Sequence, residues 1–252
     1  MKRAVKRVDA SRPGAMVFAV DTHAERPHVV LTYDDGPEPG GTDAVLEVLA
    51  DNKATATFFV LLSRTRRYPQ LLADTVAAGH EIALHGVDHQ RLTLLDPSDV
   101  ARRTTDARHE LEDATGKAVR WFRPPYGGQS AATWHAICDT GLTPVGWNVG
   151  CRDWVDLPND IRLAEARAMD KGAIIMAHDS FAAGLDAADD GPVPHVDRGG
   201  LTRELISVCT EKGFRCRSLE QALESGEPAR RVWLDPTPLG RVKSFIQSRV
   251  GF

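Results

Sequence analysis

The chain has 252 residues, a formal net charge of −4, and 42% hydrophobic and 26% charged residues. This length and balance are typical of a globular chain with a sizeable core, and the slightly acidic charge argues against nucleic-acid binding, which usually needs a basic face. None of the four cysteines lies in a CxxC pair, which excludes a zinc ribbon and a dithiol redox motif.

Apolar strand-like runs alternate with helical patterns from His28 onward. Residues 28–33 form a continuous, partly β-branched run, which predicts a buried strand. Further strands are predicted at residues 57–61, 81–84, 119–122, 144–147, 173–176 and 214–217. Helices are predicted near residues 40–49, 71–78, 96–115, 130–139, 161–169, 201–211 and 219–224. The alternation predicts an α/β fold with a parallel sheet and about seven βα units, open or closed into a barrel.

Three segments flank or interrupt this pattern. Residues 1–27 are interpreted as an N-terminal extension, 28–227 as the main domain and 228–252 as a basic C-terminal tail. The tail places five apolar residues on one helical face: Leu239, Val242, Phe245, Ile246 and Val250. This pattern predicts an amphipathic helix that packs back on the domain or contacts a membrane surface or a partner. Residues 182–200, rich in Asp, Gly and Pro, predict a long loop that either lines a site or is a solvated connection.

The N-terminal segment does not resemble a secretory leader. Its apolar stretch, residues 15–20, is too short for the hydrophobic region of a signal peptide and ends at Asp21. The sequence therefore predicts a cytoplasmic location.

Polar side chains cluster at the predicted ends of five strands. The clusters are Asp34-Asp35, His85 with His89, residues 123–126 (Arg-Pro-Pro-Tyr), Asp153-Trp154 and His178-Asp179. The carboxyl ends of parallel strands form the active-site rim of α/β folds, so the five clusters predict one site.

His85 and His89 are spaced so that both imidazoles can reach one metal ion. Gly86 occupies the glutamate position of the HExxH metalloprotease pattern, which therefore does not apply. A third ligand is needed, and Asp34 or Asp35 can supply it. Two adjacent buried carboxylates repel each other unless a cation compensates, although an exposed Asp-Asp-Gly-Pro turn explains this segment equally well.

Five short motifs together resemble the polysaccharide deacetylases with a NodB homology domain, carbohydrate esterase family four. They are residues 32–37 (TYDDGP), 85–89 (HGVDH), 123–126 (RPPY), 153–154 (DW) and 176–178 (MAH). All five occur in the order of the family, and the resemblance covers about residues 29–224. The resemblance implies a distorted (β/α) barrel with fewer than eight units, which agrees with the predicted alternation.

The resemblance also implies roles for these residues. Asp35, His85 and His89 would hold a divalent metal, usually Zn²⁺, with Co²⁺, Mn²⁺ or Ni²⁺ as alternatives. Asp34 would be the general base, and Arg123 would orient it through a salt bridge. Gly86 stands where serine or threonine is usual, so the identity of the metal stays open.

The remaining motifs imply a general acid and a substrate pocket. His178 would be the acid, and Asp153 would tune its protonation. The substrate-binding residues would be Pro125, Tyr126, Trp154 and Met176. Tyr126 would offer its backbone N–H to the oxyanion, while Trp154 and Met176 would form the pocket for the acetyl methyl group.

The resemblance implies hydrolysis of an N-acetylated sugar to acetate and a free amine. Two alternatives remain: the same fold and metal acting on a non-sugar amide or cyclic C–N bond, and a non-catalytic glycan-binding protein. The latter predicts loss of a ligand, the base or the acid, all of which are present here. A cytoplasmic enzyme would favour a small substrate such as a chitooligosaccharide, a lipid-linked sugar or an acetylated biosynthetic intermediate.

Overall fold

The computed structural model describes residues 8–188 and 191–235. Its centre is a curled parallel sheet of eight strands. The strands are β2 (His28–Asp34), β3 (Thr57–Leu61), β4 (Glu81–Gly86), β5 (Trp121–Phe122), β6 (Thr143–Pro144), β7 (Val149–Gly150), β8 (Ile174–His178) and β9 (Arg215–Arg217). Their order in the sheet is β6-β5-β4-β3-β2-β8-β7, and β9 also pairs with β2. All the predicted strands are present, and β7 is an additional short strand that the sequence pattern did not indicate.

Helices connect the strands and cover the outer face of the sheet. They are α1 (Thr42–Asp51), α2 (Leu62–Arg67), α3 (Pro69–Ala77), α4 (Pro97–Thr115), α5 (Ala131–Cys138), α6 (Asn159–Arg162), α7 (Ala164–Ala168), α8 (Arg198–Glu211) and α9 (Leu219–Leu223). Short 3₁₀ helices lie at Leu92–Leu94, Pro125–Gly127 and Gly184–Asp186. The predicted helix at residues 161–169 is in fact the pair α6 and α7, and α2 was not predicted.

The ends of α4 illustrate how the sequence sets helix boundaries. The Asp96 side chain accepts a hydrogen bond from the backbone N–H of Ser98 and caps the first turn. Gly116 ends the helix with φ 63°, a left-handed conformation that glycine adopts without steric cost.

Successive side chains along the strands point to opposite faces of the sheet, and the polar residues at the strand ends lie on the inner face. In β2, Val29, Leu31 and Tyr33 pack in the main core under the helices, while Val30 belongs to a second apolar cluster on the inner face. Because successive strand residues point to opposite faces, Asp34 lies on the same face as Val30. The same rule places His85 with Ala83 in β4 and His178 with Ile174 in β8. The inner face therefore collects the polar residues at the strand ends.

Two further strands pair with each other outside the main sheet. β1 (Ala15–Thr22) and β10 (Gly226–Val232) form an antiparallel ribbon, with Ala15 opposite Val232 and Thr22 opposite Gly226. β1 lies within the segment interpreted as an N-terminal extension, and β10 covers the start of the segment interpreted as a tail. β1 also bridges to Val145, beside β6 at one end of the sheet, and to Ala173, beside β8, the second strand from the other end. The amphipathic helix predicted from residues 239–250 lies outside the described residues.

Among the helices of residues 8–188 and 191–235, none combines the length and the hydropathy that a membrane-spanning helix requires.

Candidate active site

Three side chains from two strand ends converge into a candidate metal site, named the metal cluster below. Asp35 follows β2, His85 lies in β4 and His89 follows β4, and one ligand atom from each lies within 4.8 Å of the others. The Asp35 Oδ1 atom lies 3.4 Å from His85 Nε2 and 3.5 Å from His89 Nε2. All three residues are buried. The structure thus brings together the three residues for which the resemblance implied metal binding.

The donor set fits a divalent metal. The His85 Nδ1–H donates to the carbonyl oxygen of Arg123 at 2.7 Å, which leaves the Nε2 lone pair directed at Asp35. Asp35 Oδ1 is buried and accepts no hydrogen bond within the described part of the chain. An Asp-His-His set also leaves coordination positions for water and substrate, as catalytic zinc sites require.

The Asp35 carboxylate is favoured in its charged form. Burial alone would raise its pKa, but His89, His85 and His178 outweigh burial and hold the pKa well below its usual range. Asp35 also has a φ of 78°, in the left-handed region that non-glycine residues seldom adopt. Strain of this kind persists where surrounding contacts fix the backbone, and it concentrates at functional sites.

A buried ion pair holds the neighbouring Asp34. Arg123 Nη1 donates to Asp34 Oδ1 at 2.6 Å and to Thr32 Oγ1 at 2.8 Å. Its Nη2 donates to the carbonyl of Gly146 at 3.1 Å, and its guanidinium lies 4.0 Å from the centre of the Phe59 ring. This pairing fixes the Asp34 carboxylate beside the metal cluster, as the resemblance implied.

His178 and Asp153 form a second charged pair on the other side of the site. The His178 Nδ1–H donates to Asp153 Oδ1 at 2.7 Å, and the backbone N–H of His178 donates to Asp153 Oδ2 at 2.8 Å. Arg198 Nη1 donates to Asp153 Oδ2 at 3.2 Å and to the carbonyl of His178 at 2.8 Å. Burial lowers the pKa of His178, but Asp153, with smaller contributions from Asp35 and Asp34, raises it to about 9.

Replacing Asp153 by asparagine is expected to move the alkaline limb of the pH–rate profile to lower pH. His178 must be protonated to act as an acid, and the Asp153 charge is the main group that raises its pKa. Without that charge the imidazolium loses its proton at lower pH, so activity declines earlier as pH rises. The profile of kcat against pH for Asp153→Asn and for the unmodified chain measures this. An alkaline limb that stays in place would show that Asp153 does not set the proton affinity of His178.

The predicted substrate-binding residues surround these groups. The Tyr126 ring packs on His89, with centroids 4.4 Å apart, and Tyr126 has φ 60° within the short helix Pro125–Gly127. Trp154 is 40% exposed and meets the His178 ring edge-on, with centroids 5.8 Å apart. Pro125 is buried near Gly86, and Met176 is buried in β8, two residues before His178 and on the same face. The structure thus gives the site an aromatic rim at Tyr126 and Trp154.

Asp179, part of the fifth predicted cluster, turns away from the metal cluster. Its Oδ1 accepts from the backbone N–H of Gly36 at 3.2 Å, and its Oδ2 accepts from Thr42 Oγ1 at 2.5 Å. Burial raises the pKa of this carboxyl to about 6. A Cβ on Gly36 would lie 2.0 Å from Asp179 Oδ2, so only glycine fits there. Asp179 therefore braces the loop that carries Asp35.

Three other residues organise the site, and no sequence pattern indicated them. Arg198 contacts Asp153, and Arg64 pairs with Asp186 at 2.7 Å. Arg64 and Asp186 expose 3% and 1% of their side chains, although Arg64 lies in a polar segment and Asp186 lies in the stretch predicted as a loop. A charged residue in a polar segment carries no local signal of burial, so contacts distant in sequence were required to find them.

Comparison with known proteins supports the family resemblance that the five motifs indicated. The polysaccharide deacetylase family model matches residues 21–145. A chitooligosaccharide deacetylase from Sinorhizobium fredii is 38% identical over 200 residues, which cover 77% of this chain and 91% of the relative.

Two solved structures share the fold. Peptidoglycan deacetylase PdaC from Bacillus subtilis superposes with a TM-score of 0.66 at 27% identity, covering 80% of this chain and 92% of the solved PdaC chain. A family 4 carbohydrate esterase from Streptomyces lividans, solved in complex with acetate, gives a TM-score of 0.67 at 26% identity and covers 82% of this chain and 99% of the solved esterase chain. The predicted barrel-like fold is thereby confirmed. The five motifs, the curled parallel sheet and these similarities show that the chain belongs to the polysaccharide deacetylase family with a NodB homology domain.

Proposed function

We propose that this chain removes the N-acetyl group from an N-acetylated sugar and uses a divalent metal held by Asp35, His85 and His89. The observation that carries the proposal is the placement of this cluster beside two ion pairs, the buried Asp34–Arg123 pair and the largely buried His178–Asp153 pair. Hydrolysis of an amide needs a group that takes a proton from water and a group that protonates the departing amine. The two ion pairs provide one of each.

The residues divide the reaction between them. When bound, a divalent metal supplies Lewis-acid chemistry, polarising the acetyl carbonyl and acidifying water. Asp34, held by Arg123, takes the proton as the water oxygen bonds to the carbonyl carbon. The backbone N–H of Tyr126 donates to the developing oxyanion, a contribution worth about 3–4 kcal/mol in well-studied sites. The C–N bond then breaks, His178 gives its proton to the amine nitrogen, and acetate leaves.

We infer that the substrate is a chitin-like oligosaccharide of N-acetylglucosamine. The relative from Sinorhizobium fredii is a chitooligosaccharide deacetylase and matches over most of both chains. The half-exposed rings of Tyr126 and Trp154 flank the site, where they can stack on the apolar faces of sugar rings.

The substrate is tested by mass spectrometry on a panel of acetylated compounds. The metal-loaded protein is incubated with N-acetylglucosamine oligomers of increasing length, peptidoglycan fragments and small non-sugar amides. Loss of acetyl groups from the oligomers, with matching acetate release, is expected. Hydrolysis confined to the small amides would replace the proposal with the alternative substrate class, and no acetate from any acetylated sugar at full metal occupancy would contradict it.

We propose zinc as the metal. Two imidazoles and one carboxylate are a typical catalytic zinc donor set, and Co²⁺, Mn²⁺ and Ni²⁺ are the alternatives. The metal content of protein purified without added metal tests this proposal.

We also propose a cytoplasmic location for the protein. Fractionation of the source cells, followed by immunodetection, tests this location.

A further inference from the structure

Asp186 is the centre of a buried ion network beside the metal cluster. Its Oδ1 accepts from Ser63 Oγ at 2.9 Å and from Arg67 Nη2. Its Oδ2 accepts from Arg64 Nε at 3.0 Å and Nη2 at 2.7 Å, a two-pronged pairing with one guanidinium. The Asp186 side chain is 1% exposed. A carboxylate this deeply buried requires such compensation, because its desolvation otherwise costs several kcal/mol.

Arg64 extends the network across the segment that follows β8. Its Nη2 also donates to the carbonyl oxygen of Phe181 at 2.8 Å, and its Nη1 donates to Ser180 Oγ. Nη1 also lies 2.8 Å from Glu38 Oε2, which accepts from Ser180 Oγ at 2.6 Å. One buried guanidinium therefore joins α2 to residues 180–186 and to the loop after β2.

The segment that Arg64 holds touches two members of the metal cluster. The backbone N–H of Ala182 donates to Asp35 Oδ2 at 3.0 Å. The backbone carbonyl of Asp186 accepts from the N–H of His89 at 2.7 Å. Residues 180–186 thus contact one ligand from each of the two strand ends.

The loop between His85 and His89 begins with Gly86, which has no side chain to hydrogen-bond to the rest of the loop. Gly86 has φ 123°, and a Cβ there would lie 2.9 Å from the carbonyl oxygen of Asp88. A side chain at residue 86 is therefore excluded by both backbone conformation and space. The backbone carbonyl of Asp186 supports His89 directly, beside two contacts that hold its neighbours: the Asp88–Arg103 ion pair at 2.8 Å and the hydrogen bond from the N–H of Ser63 to the carbonyl of Val87 at 2.8 Å.

We propose that the Arg64–Asp186 pair is a positioning device for the metal site, which holds residues 180–186 so that this segment orients Asp35 and His89. The inference rests on the proposed function for the identity of the cluster as a metal site. Within the described residues, the hydrogen-bond partners of the Arg64 and Asp186 side chains lie outside the metal cluster, so the pair acts on it through the two backbone hydrogen bonds. Substitution of residues that support metal ligands typically reduces metal affinity by about 10–100-fold.

The test measures metal affinity in variants of the network. Arg64→Met and Asp186→Asn are titrated with Zn²⁺ against a competing chelator, and the Co²⁺-loaded forms are compared by visible absorption. About 10–100-fold weaker binding and an altered Co²⁺ spectrum are expected for both. Arg66→Met is the matched control, because Arg66 lies on the same helix and pairs with Glu110 with both side chains about half exposed. Its Kd for Zn²⁺ is expected to stay within about threefold of the unmodified value, as surface ion pairs contribute little.

Thermal unfolding in chelator separates positioning from a general loss of fold. A purely structural role would lower the Tm of the metal-free protein and leave Zn²⁺ affinity unchanged in the folded fraction. Should Arg64→Met not fold, Arg64→Lys retains the charge while losing the two-pronged pairing, and intermediate metal affinity is expected. Metal affinity equal to that of the unmodified protein in a folded Arg64 variant and in Asp186→Asn would overturn the proposal.

Failure of this inference can be told apart from failure of the proposed function. Metal affinity is measured without substrate, so a chain that binds metal but deacetylates no sugar refutes the proposed activity and leaves the network test valid. An active chain whose network variants bind metal normally refutes only the positioning role. An unmodified chain that binds no metal refutes both.

Discussion

Asp34→Asn is expected to lower kcat for deacetylation by about 10²–10⁴-fold, the usual contribution of a general base. Asparagine keeps the shape of the side chain but cannot accept the proton of the attacking water. The metal cluster is formed by Asp35, His85 and His89, so the affinity for Zn²⁺ should change by no more than a few-fold. The expected pattern is therefore a large loss of kcat at nearly full metal occupancy.

Steady-state kinetics and metal analysis on the same preparation measure this pattern. Asp156→Asn is a suitable control, because Asp156 is an exposed carboxylate whose side chain accepts from the backbone N–H of His195. Its kcat should stay within about twofold, as expected of a surface substitution away from the reacting atoms. A metal-loaded Asp34→Asn protein with unchanged kcat would assign the base to another group.

Arg123→Met is expected to lower the free energy of unfolding by about 3–5 kcal/mol, the usual cost of removing one partner of a buried ion pair. The guanidinium is fully buried and donates to Asp34, Thr32 and the carbonyl of Gly146. Its loss leaves a buried carboxylate without its cation and a buried carbonyl without a donor. Methionine fills part of the space but satisfies neither group.

Urea denaturation in the presence of a chelator measures this loss without a contribution from bound metal. Arg120→Met is the control, because Arg120 pairs with Glu220 at 2.7 Å with more than half of both side chains exposed. It should cost no more than about 1 kcal/mol. The double variant Arg123→Met/Asp34→Asn should lose less than the sum of the two single variants, since the residues are in direct contact. Equal losses for Arg123→Met and Arg120→Met would show that the buried pair does not stabilise the fold.

The sequence was most informative where polar residues interrupt apolar strands. Asp34, His85 and His178 each lie at the end of a buried apolar run, and the parity of β-strand residues then fixes the face on which they lie. Their convergence follows from the parallel arrangement of the strands, which the strand–helix alternation predicts.

Other parts of the fold depend on contacts that no local pattern records. β10 has the sequence GEPARRV, which lacks apolar alternation. It forms a strand because it pairs with β1, which lies near the other end of the described sequence. Arg64 lies in the segment LSRTRR, which is typical of an exposed helix, yet Asp186, 122 residues away, holds it in the interior. Residues 182–200 are compositionally a loop, but their first part contacts Asp35 and His89 and their last residues begin α8.

The Asp35–His85–His89 site is tested most directly by following metal content and acetate release together during stepwise chelation. About one equivalent of metal per chain is expected, as for a catalytic site with three protein ligands. Acetate release from a chitin-like oligomer should fall in proportion to metal content and return when Zn²⁺ is restored, whereas His85→Ala should neither retain the metal nor recover activity. Full acetate release by the metal-free chain, or normal metal content in folded His85→Ala, would contradict the proposed site.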